Sequence, residues 1–421
     1  MVKPGDRVRI KTKDGEHVGI LMPRPEKVPG NSVIIKLKTG YNKGIARKNI
    51  VSMYVLEPYK KKTASVRNIP YKKGLPNIAI LSTGGTISSK VDYETGGTFP
   101  AVSVGEFIQM VPELEQYGNY EVKQMSQVWS EDIASDDWIK LAKEVYSQIK
   151  KGKRGIIITQ GTDTMHYNAA ALSFMVQNLP VPVIFVAAQR SIDRGSSDAF
   201  PNLLTAAITA AKWDGAETVI CMHGSTDDNA NILIRGTKAR KMHTERRDAF
   251  KPINDMPLAR VDYNGNIVKV SNYKLRSDSK PVLNTKIDKK VALIWTYPGI
   301  DPKIFDYYIK QKYHGIVIAG TGFGNVPRNV VPILKKFYRA GIPVVMTSQC
   351  IFGRVNARVY ERGRKQLFEG KVIYGEDMTP ETAFVKLMFV LGQTKNMEKV
   401  KEMMTKNLVG EISPRTTTNY L

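Results

Sequence analysis

Ile78-Ala-Ile-Leu-Ser-Thr-Gly-Gly-Thr-Ile87 decides the fold, because an apolar run leads directly into a glycine turn that ends on a hydroxyl. Gly155-Ile-Ile-Ile-Thr-Gln-Gly-Thr-Asp-Thr-Met165 repeats the pattern. Each stretch predicts a buried strand of a parallel sheet, followed by a tight turn and a helix. Ligands of open α/β sheets bind at the carboxyl ends of strands, where such turns lie. The two stretches therefore predict one site with two threonine hydroxyls and a carboxylate.

From Asn77 onward, predicted strands alternate with predicted helices, which indicates an α/β protein. The composition turns polar between Ser277 and Lys290, and a second α/β unit follows. We predict a larger α/β domain over residues 77–282 and a smaller one over residues 291–421. Apolar runs and helical spacing predict the further elements, which are a helix carrying the stripe Trp138, Leu141, Ala142, Val145 and Ile149, a helix over 330–340, and strands over 183–187, 218–222, 291–295, 315–319 and 342–346.

Residues 1–58 predict a small all-β module, because short apolar or alternating runs (7–10, 18–22, 32–37 and 52–56) are separated by turn signals. We expect an SH3-like barrel, followed over residues 59–76 by a basic linker that is too polar to pack by itself. Residues 1–76 contain 18 Lys/Arg and 5 Asp/Glu, and so carry +13 of the formal net charge of +24. This concentration predicts a surface that meets polyanions, and a merely lysine-rich solvated surface is the alternative.

Composition limits the remaining classes of protein. At 421 residues, the chain is long enough for two or three domains with substantial cores. It has no apolar run of about eighteen residues, so we predict no membrane association. Cys221 and Cys350 adjoin apolar runs, which predicts buried, reduced thiols and a cytoplasmic protein. The five histidines lack metal-ligand spacing, and we expect no metal site.

The two glycine turns carry the residue types that amide hydrolysis requires. A threonine hydroxyl is a poor nucleophile unless a base activates it and an oxyanion site stabilises the product of its attack. Gly85 precedes Thr86, and Gly161 precedes Thr162 and Asp163. Glycine permits close backbone approach to a substrate, so Gly85 and Gly161 are candidate substrate-binding residues. A neutral lysine near other cations could serve as the base.

These motifs resemble those of the bacterial-type L-asparaginase/glutaminase family. Further segments follow in the family's order: Ser130-Glu-Asp-Ile133, Gln189-Arg-Ser191 with Ser197-Asp198, and Gly315 to Gly322. The resemblance covers most of residues 77–400. It implies a two-domain asparaginase-like α/β fold, and hydrolysis of the side-chain amide of asparagine or glutamine through an acyl-enzyme.

The resemblance also assigns roles by position. Thr86 matches the primary nucleophile, and Tyr93 matches the phenol that assists it, with a loop aromatic as the alternative for Tyr93. Ser130 and Glu131 would hold the α-amino and carboxylate groups of the substrate, and Asp163 would help to hold the amino group. A helix N-terminus capped by Ser130 is the alternative for this segment.

Thr162, Asp163 and a lysine match the family's second catalytic triad. We assign the lysine to Lys241, which precedes Asp248-Ala-Phe250 by the family's spacing, and keep Lys238 as the second candidate. Both lie in a charged run, so a solvated lysine is the alternative.

Two positions depart from the family pattern. Gln160 stands where the family usually has histidine, and Glu131 stands where many asparaginases have glutamine. Neither change removes a catalytic group, but the second could alter substrate preference.

The basic module ahead of the asparaginase-like body resembles the glutaminase subunits of archaeal tRNA-dependent amidotransferases, as do Val91-Asp-Tyr-Glu-Thr-Gly96 and Gly375-Glu-Asp-Met-Thr-Pro-Glu-Thr382. This implies a cytoplasmic protein that hydrolyses glutamine and passes ammonia to the E subunit of the amidotransferase (GatE). The E subunit would use ATP and Mg²⁺ to convert Glu-tRNA(Gln) to Gln-tRNA(Gln).

The same resemblance implies a heterotetramer, in which a homodimer of this chain binds two partner subunits. No GxxxxGK phosphate loop occurs here, so we expect this chain to bind no cofactor and ATP to bind the partner. The alternatives are a free-standing asparaginase/glutaminase with an added domain and a non-catalytic RNA-binding scaffold.

Overall fold

The computed structural model describes residues 2–23, 31–38, 42–59, 71–85, 111–191 and 196–416, together with the backbone of residues 89–91 and 98–100. Most of the predicted basic linker lies outside the described residues. The helices are α1 (Ser135–Lys150), α2 (Met165–Met175), α3 (Ala199–Lys212), α4 (Lys303–Lys310), α5 (Val331–Arg339), α6 (Glu361–Phe368), α7 (Pro380–Gln393) and α8 (Met397–Thr405), with 3-10 turns at Arg47–Asn49, Pro112–Gln116 and Ser130–Asp132.

The strands follow in chain order. They are β1 (Arg7–Thr12), β2 (Gly15–Leu21), β3 (Ser32–Lys36), β4 (Asn42–Ala46), β5 (Ile50–Glu57), β6 (Asn77–Ser82), β7 (Ser89–Val91), β8 (Thr98–Pro100), β9 (Asn119–Gln124), β10 (Gly155–Thr159), β11 (Val176–Gln177), β12 (Val183–Val186), β13 (Thr218–His223), β14 (Ala230–Arg235), β15 (Ala239–Lys241), β16 (Phe250–Pro252), β17 (Ala259–Asp262), β18 (Ile267–Lys269), β19 (Val282–Leu283), β20 (Val291–Trp295), β21 (Gly315–Gly320), β22 (Val344–Ser348) and β23 (Ile373–Tyr374).

The central sheet has eight strands in the order β18-β17-β14-β13-β12-β10-β6-β9. Its five strands from β13 to β9 run parallel, whereas β14, β17 and β18 are antiparallel additions. Strand β10 is buried over its whole length because α1 and α2 cover one face of the sheet and α3 covers the other. Strand β6 is the first of the five parallel strands in the chain, and it lies between the second, β9, and the third, β10. The chain therefore adds strands on opposite sides of β6. Doubly wound proteins bind their ligands beside such a change of direction.

The N-terminal module is a five-stranded antiparallel sheet in the order β4-β3-β2-β1-β5, and the predicted all-β character is confirmed. Val8, Ile10, Val33, Ile35 and Ile45 form its small core. Strand β4 was not predicted, because only Ile45 of its five residues is buried and its sequence shows no apolar alternation.

The C-terminal unit contains a four-stranded parallel sheet, β20-β21-β22-β23. Helix α7 packs on this sheet and also on α2 of the larger unit, and the rings of Phe174 and Phe389 stack across that contact at 5.8 Å. The two α/β units therefore share one continuous hydrophobic core. The predicted α/β fold class with an all-β N-terminal module is confirmed.

Two local predictions were wrong. Strand β22 begins at Val344 rather than Ile342, because Pro343 cannot donate a ladder hydrogen bond. Cys221 is buried as predicted, but Cys350 is exposed because it lies in the turn beyond β22. In the described part of the chain, no helix has both the length and the apolar character needed to cross a membrane.

Candidate active site

The carboxyl ends of three neighbouring strands converge on one place. Gly85 follows β6, Ser130 follows β9, and Gly161 follows β10. Strand β6 pairs in parallel with both β9 and β10, so all three segments leave the same edge of the sheet. The strand order thus brings together segments that lie far apart in the sequence.

Gly84 and Gly85 turn the chain sharply after β6, with φ angles of +105° and +89° that favour glycine. A Cβ on Gly85 would lie 2.2 Å from the Gly161 nitrogen, so no side chain fits between these turns. The Thr83 amide donates to Thr159 O at 3.0 Å and locks the turn to β10. Thr86 and Tyr93, the predicted nucleophile and assisting phenol, lie outside the described residues and stay predictions.

Ser130 lies directly against Gly161, where an added Cβ would come within 2.8 Å of the Ser130 Cβ. The Thr164 hydroxyl donates to Ser130 O at 2.5 Å and joins the two segments. Ser130 is buried, and its Oγ lies 3.3 Å from Glu131 Oε2, whereas Glu131 is exposed. The helix-cap alternative for Ser130 is wrong, because Trp129 precedes the short 3-10 turn and no side chain caps it.

Lys241 reaches both polar groups of the turn after β10. Its Nζ lies 2.8 Å from Thr162 Oγ1 and 2.7 Å from Asp163 Oδ1. Thr162 is buried and the Lys241 side chain is 10% exposed, whereas the Asp163 side chain is 64% exposed. A buried hydroxyl therefore meets an amine that an adjacent carboxylate orients.

Lys238, the second candidate for the base, occupies a different place. Its Nζ lies 2.7 Å from Asp377 Oδ2, and both side chains are 1% exposed. Burial lowers the pKa of Lys238, and the Asp377 carboxylate opposes this shift. Because its ammonium pairs with Asp377, Lys238 is not the lysine that contacts Thr162.

Comparison with known proteins places the chain in a family. Residues 77–275 match the family "Asparaginase, N-terminal", residues 290–404 match "Glutaminase/Asparaginase C-terminal domain", and residues 2–56 match "GatD N-terminal domain". The chain is 47% identical over 422 residues to the D subunit of glutamyl-tRNA(Gln) amidotransferase from Pyrococcus abyssi, covering 99% of this chain and 96% of that one. This chain belongs to the amidotransferase D-subunit family. The protein of the same name from Methanosphaera stadtmanae is 44% identical, with coverages of 99% and 95%.

The asparaginase-like part of this chain resembles solved structures of L-asparaginases. The thermostable L-asparaginase of Thermococcus kodakarensis superposes with a TM-score of 0.72 at 30% identity, covering 80% of this chain and all of that one. L-asparaginase I of Vibrio cholerae gives a TM-score of 0.70, also at 30% identity, with coverages of 81% and 100%. The family resemblance predicted from the sequence is confirmed.

His166 lies at the start of α2, next to the turn after β10, and is neutral at physiological pH. Burial lowers its pKa to about 3, and the positive charges of Arg240 and Lys241 add to the shift. Gln160, which replaces the family's usual histidine, is fully buried, and its side-chain amide has no hydrogen-bond partner among the described residues. Neither residue adds a charge to the site.

Sequence reasoning missed two contributors to this site. Thr164 lies in the glycine turn after β10, and no sequence pattern predicted that its hydroxyl connects this turn to Ser130. Arg240 pairs with Glu381 at 3.2 Å, a contact that no local pattern could predict. Among the described residues, no group of three His, Cys, Asp or Glu side chains is arranged to hold a metal ion.

Proposed function

We propose that this chain is the glutamine-hydrolysing component of a glutamyl-tRNA(Gln) amidotransferase. The observation that carries the proposal is the hydrogen bond between Lys241 Nζ and Thr162 Oγ1, in a turn that packs against Gly85. The D-subunit name of the relatives and the match of residues 2–56 favour this function over a free-standing asparaginase.

The chemistry is acyl transfer to a threonine hydroxyl. In the proposed reaction, the hydroxyl oxygen of Thr86 attacks the side-chain carbonyl carbon of glutamine, and a C–O bond forms as the C–N bond breaks. The proton that leaves the Thr86 hydroxyl passes to the departing nitrogen, which leaves as ammonia. Water then cleaves the ester, which releases glutamate and restores the hydroxyl.

Thr162, Asp163 and Lys241 support the proton transfers of this reaction. As an ammonium ion, Lys241 donates hydrogen bonds to Thr162 and Asp163. As a neutral amine at the same position, it would accept the Thr162 proton while the Thr162 oxygen takes up the proton of the attacking group, and the pair would so serve as a general base. Asp163 keeps the amine on Thr162 in either form, because the carboxylate accepts its second hydrogen bond.

Ser130, Glu131 and Asp163 are the proposed ligands of the amino-acid end of glutamine. Ser130 is buried against Gly161, whereas Glu131 and Asp163 are exposed. Two carboxylates would attract the α-ammonium group, and the serine hydroxyl would donate to the α-carboxylate.

The ammonia would pass to the E subunit of the amidotransferase, which would use ATP and Mg²⁺ to amidate Glu-tRNA(Gln). We propose a cytoplasmic heterotetramer in which two copies of this chain form the core. The +13 charge of residues 1–76 supports binding beside a polyanion such as tRNA.

The test replaces Thr162 with valine in the complex with the E subunit. This variant keeps the side-chain shape and removes the hydroxyl that Lys241 contacts. We expect glutamine-dependent formation of Gln-tRNA(Gln) to fall by at least about a hundredfold, because a proton-transfer group is lost. Added ammonium should restore product formation, because it bypasses glutamine hydrolysis.

Lys140→Met is the matched control, since Lys140 is an exposed lysine of α1. It should retain full glutamine-dependent activity. A Thr162→Val complex that ammonium does not rescue would contradict the proposal. Rapid asparagine hydrolysis by this chain alone, unchanged after deletion of residues 1–76, would instead favour a free-standing asparaginase.

A further inference from the structure

Lys241 is presented by a short hairpin whose base is buried. Strands β15 and β16 pair in antiparallel fashion, with Lys241 opposite Phe250. Lys238 immediately precedes β15, and its carbonyl accepts a 2.7 Å hydrogen bond from the Ile253 amide. The position of Lys241 therefore depends on where this base is fixed.

The C-terminal α/β unit fixes it. The ion pair between Lys238 Nζ and Asp377 Oδ2 spans 2.7 Å and is almost fully excluded from water. Asp377 lies in the segment between β23 and α7. Asn254 Nδ2 also donates to the Asp377 carbonyl at 2.9 Å, just beyond β16. Both strands of the hairpin are thus tied to the residue Asp377.

Two further contacts join the hairpin to the beginning of α7. Arg240 pairs with Glu381 at 3.2 Å, and the Thr382 hydroxyl donates to the Thr237 carbonyl at 3.0 Å. Successive residues of a strand project to opposite faces. Arg240 therefore faces α7, and its neighbour Lys241 faces Thr162.

We propose that the Lys238–Asp377 ion pair is a positioning pair that holds the Lys241 amine within hydrogen-bonding distance of Thr162. The proposal rests on the proposed function of Thr162 and Lys241. A buried ion pair suits this role, because the hairpin cannot slide without leaving a charge uncompensated away from water. The smaller unit thereby orients a group whose chemistry takes place on the larger unit.

The test is Asp377→Asn in the complex with the E subunit, assayed by ammonia release from glutamine. The amide keeps the size of the side chain and an acceptor for the Ser413 amide, which lies 3.0 Å from Asp377 Oδ1. We expect kcat to fall by about a hundredfold, because a displacement of about 1 Å suffices for such a loss. KM should change by less than about twofold, since no proposed substrate ligand is altered.

Glu411→Gln is the matched control. Lys386 and Glu411 form another buried pair in the C-terminal unit, at 2.6 Å with both side chains fully buried. Lys386 donates to the carbonyls of Met404 and Lys406, so this pair holds the C-terminal segment rather than the hairpin. Its kcat per folded molecule should stay within about twofold of the parent value. Equal losses of kcat in the two variants would overturn the proposal.

A second variant removes both charges in case Asp377→Asn does not fold. Lys238→Met combined with Asp377→Asn leaves no uncompensated buried charge, and the same change at Lys386 and Glu411 is its control. The kcat should fall in the variant that combines Lys238→Met with Asp377→Asn, here called the hairpin version, and not in the variant that combines Lys386→Met with Glu411→Gln. An unchanged kcat in a folded hairpin version would overturn the proposal.

Crystal structures of these variants separate the positioning role from the proposed function. The distance from Lys241 Nζ to Thr162 Oγ1 should increase from 2.8 Å to beyond about 3.5 Å in the hairpin variants only. A retained 2.8 Å contact would refute the positioning role whatever the substrate. If the parent complex releases no ammonia from glutamine, the proposed function fails, and this distance still decides the positioning role.

Discussion

Gly85 packs backbone to backbone against Gly161, so closely that a Cβ on Gly85 would lie 2.2 Å from the Gly161 nitrogen. The two residues lie in turns after adjacent parallel strands, and each precedes a threonine in the sequence. A contact this close leaves no room for a side chain at Gly85. The close approach of the two turns therefore requires glycine at position 85.

Gly85→Ala should disrupt both stability and glutamine hydrolysis. The φ angle of +89° strains alanine, and the added methyl group must displace the Gly161 backbone. We expect a loss of more than about 1 kcal/mol in the free energy of unfolding and the loss of ammonia release. Gly152→Ala is the matched control, with a φ of +78° and no atom within 4 Å of the added Cβ. It should be destabilised by about 1 kcal/mol and keep its kcat.

Ser130→Ala should weaken glutamine binding more than it slows catalysis. The Ser130 hydroxyl is a proposed ligand of the substrate carboxylate, and a hydrogen bond to a charged group contributes about 1.5–3 kcal/mol. We expect KM to rise by at least about tenfold while kcat changes by less than about threefold. Steady-state kinetics of ammonia release measure both constants. Ser147→Ala, near the end of α1, should match the parent, and a selective fall in kcat at Ser130 would argue against a binding role.

His166 should make the folded chain sensitive to acid. Its folded-state pKa of about 3 lies below the ordinary value of 6.5, so between these values the unfolded chain binds a proton that the folded chain does not. Its contribution to stability is therefore complete above pH 6.5 and falls by up to about 1.4 kcal/mol per pH unit below it. Between pH 7 and pH 4.5, the free energy of unfolding measured with urea should fall by about 2.5 kcal/mol less in His166→Gln than in the parent chain. Identical pH dependences would show that His166 has the same pKa in the folded and unfolded chains.

Glu411→Gln should destabilise the chain without impairing the active site. It leaves the Lys386 ammonium fully buried without its carboxylate partner, and the Leu408 and Val409 amides keep only an amide acceptor. We expect a loss of about 3–5 kcal/mol in the free energy of unfolding. Lys386→Met combined with Glu411→Gln should recover part of this loss, because no charge stays buried. Thermal unfolding should rank the parent as most stable, the double variant next and Glu411→Gln last. A Glu411→Gln variant as stable as the parent would contradict this ranking.

Much of the fold was predictable because its signals are local. Strand β20 was predicted over its observed residues, and the stripe from Trp138 to Ile149 is the buried face of α1. Strand β4 could not be predicted, because a polar edge strand with one buried residue has no periodic pattern. Cys350 was predicted to be buried because it adjoins an apolar run. Such a run does not show where its strand ends, and Cys350 lies beyond the end of β22.

The candidate site was predictable in its residue types and less so in its geometry. Thr162 and Asp163 were assigned from one motif, and Thr86 and Tyr93 stay predictions outside the described residues. The family spacing favoured Lys241 but kept Lys238 as an alternative. Only the packing of β15 placed Lys241 on Thr162 and Lys238 on Asp377.

The sequence by itself determined the strand-and-turn pattern, the family and the chemical groups available for amide hydrolysis, because each is written in contiguous residues. The tertiary structure alone decided which groups meet. Lys241 contacts Thr162 from 79 positions away, and Lys238 contacts Asp377 across 139 positions. Contacts at such separations depend on strand order and on packing between the two α/β units, which no local pattern specifies.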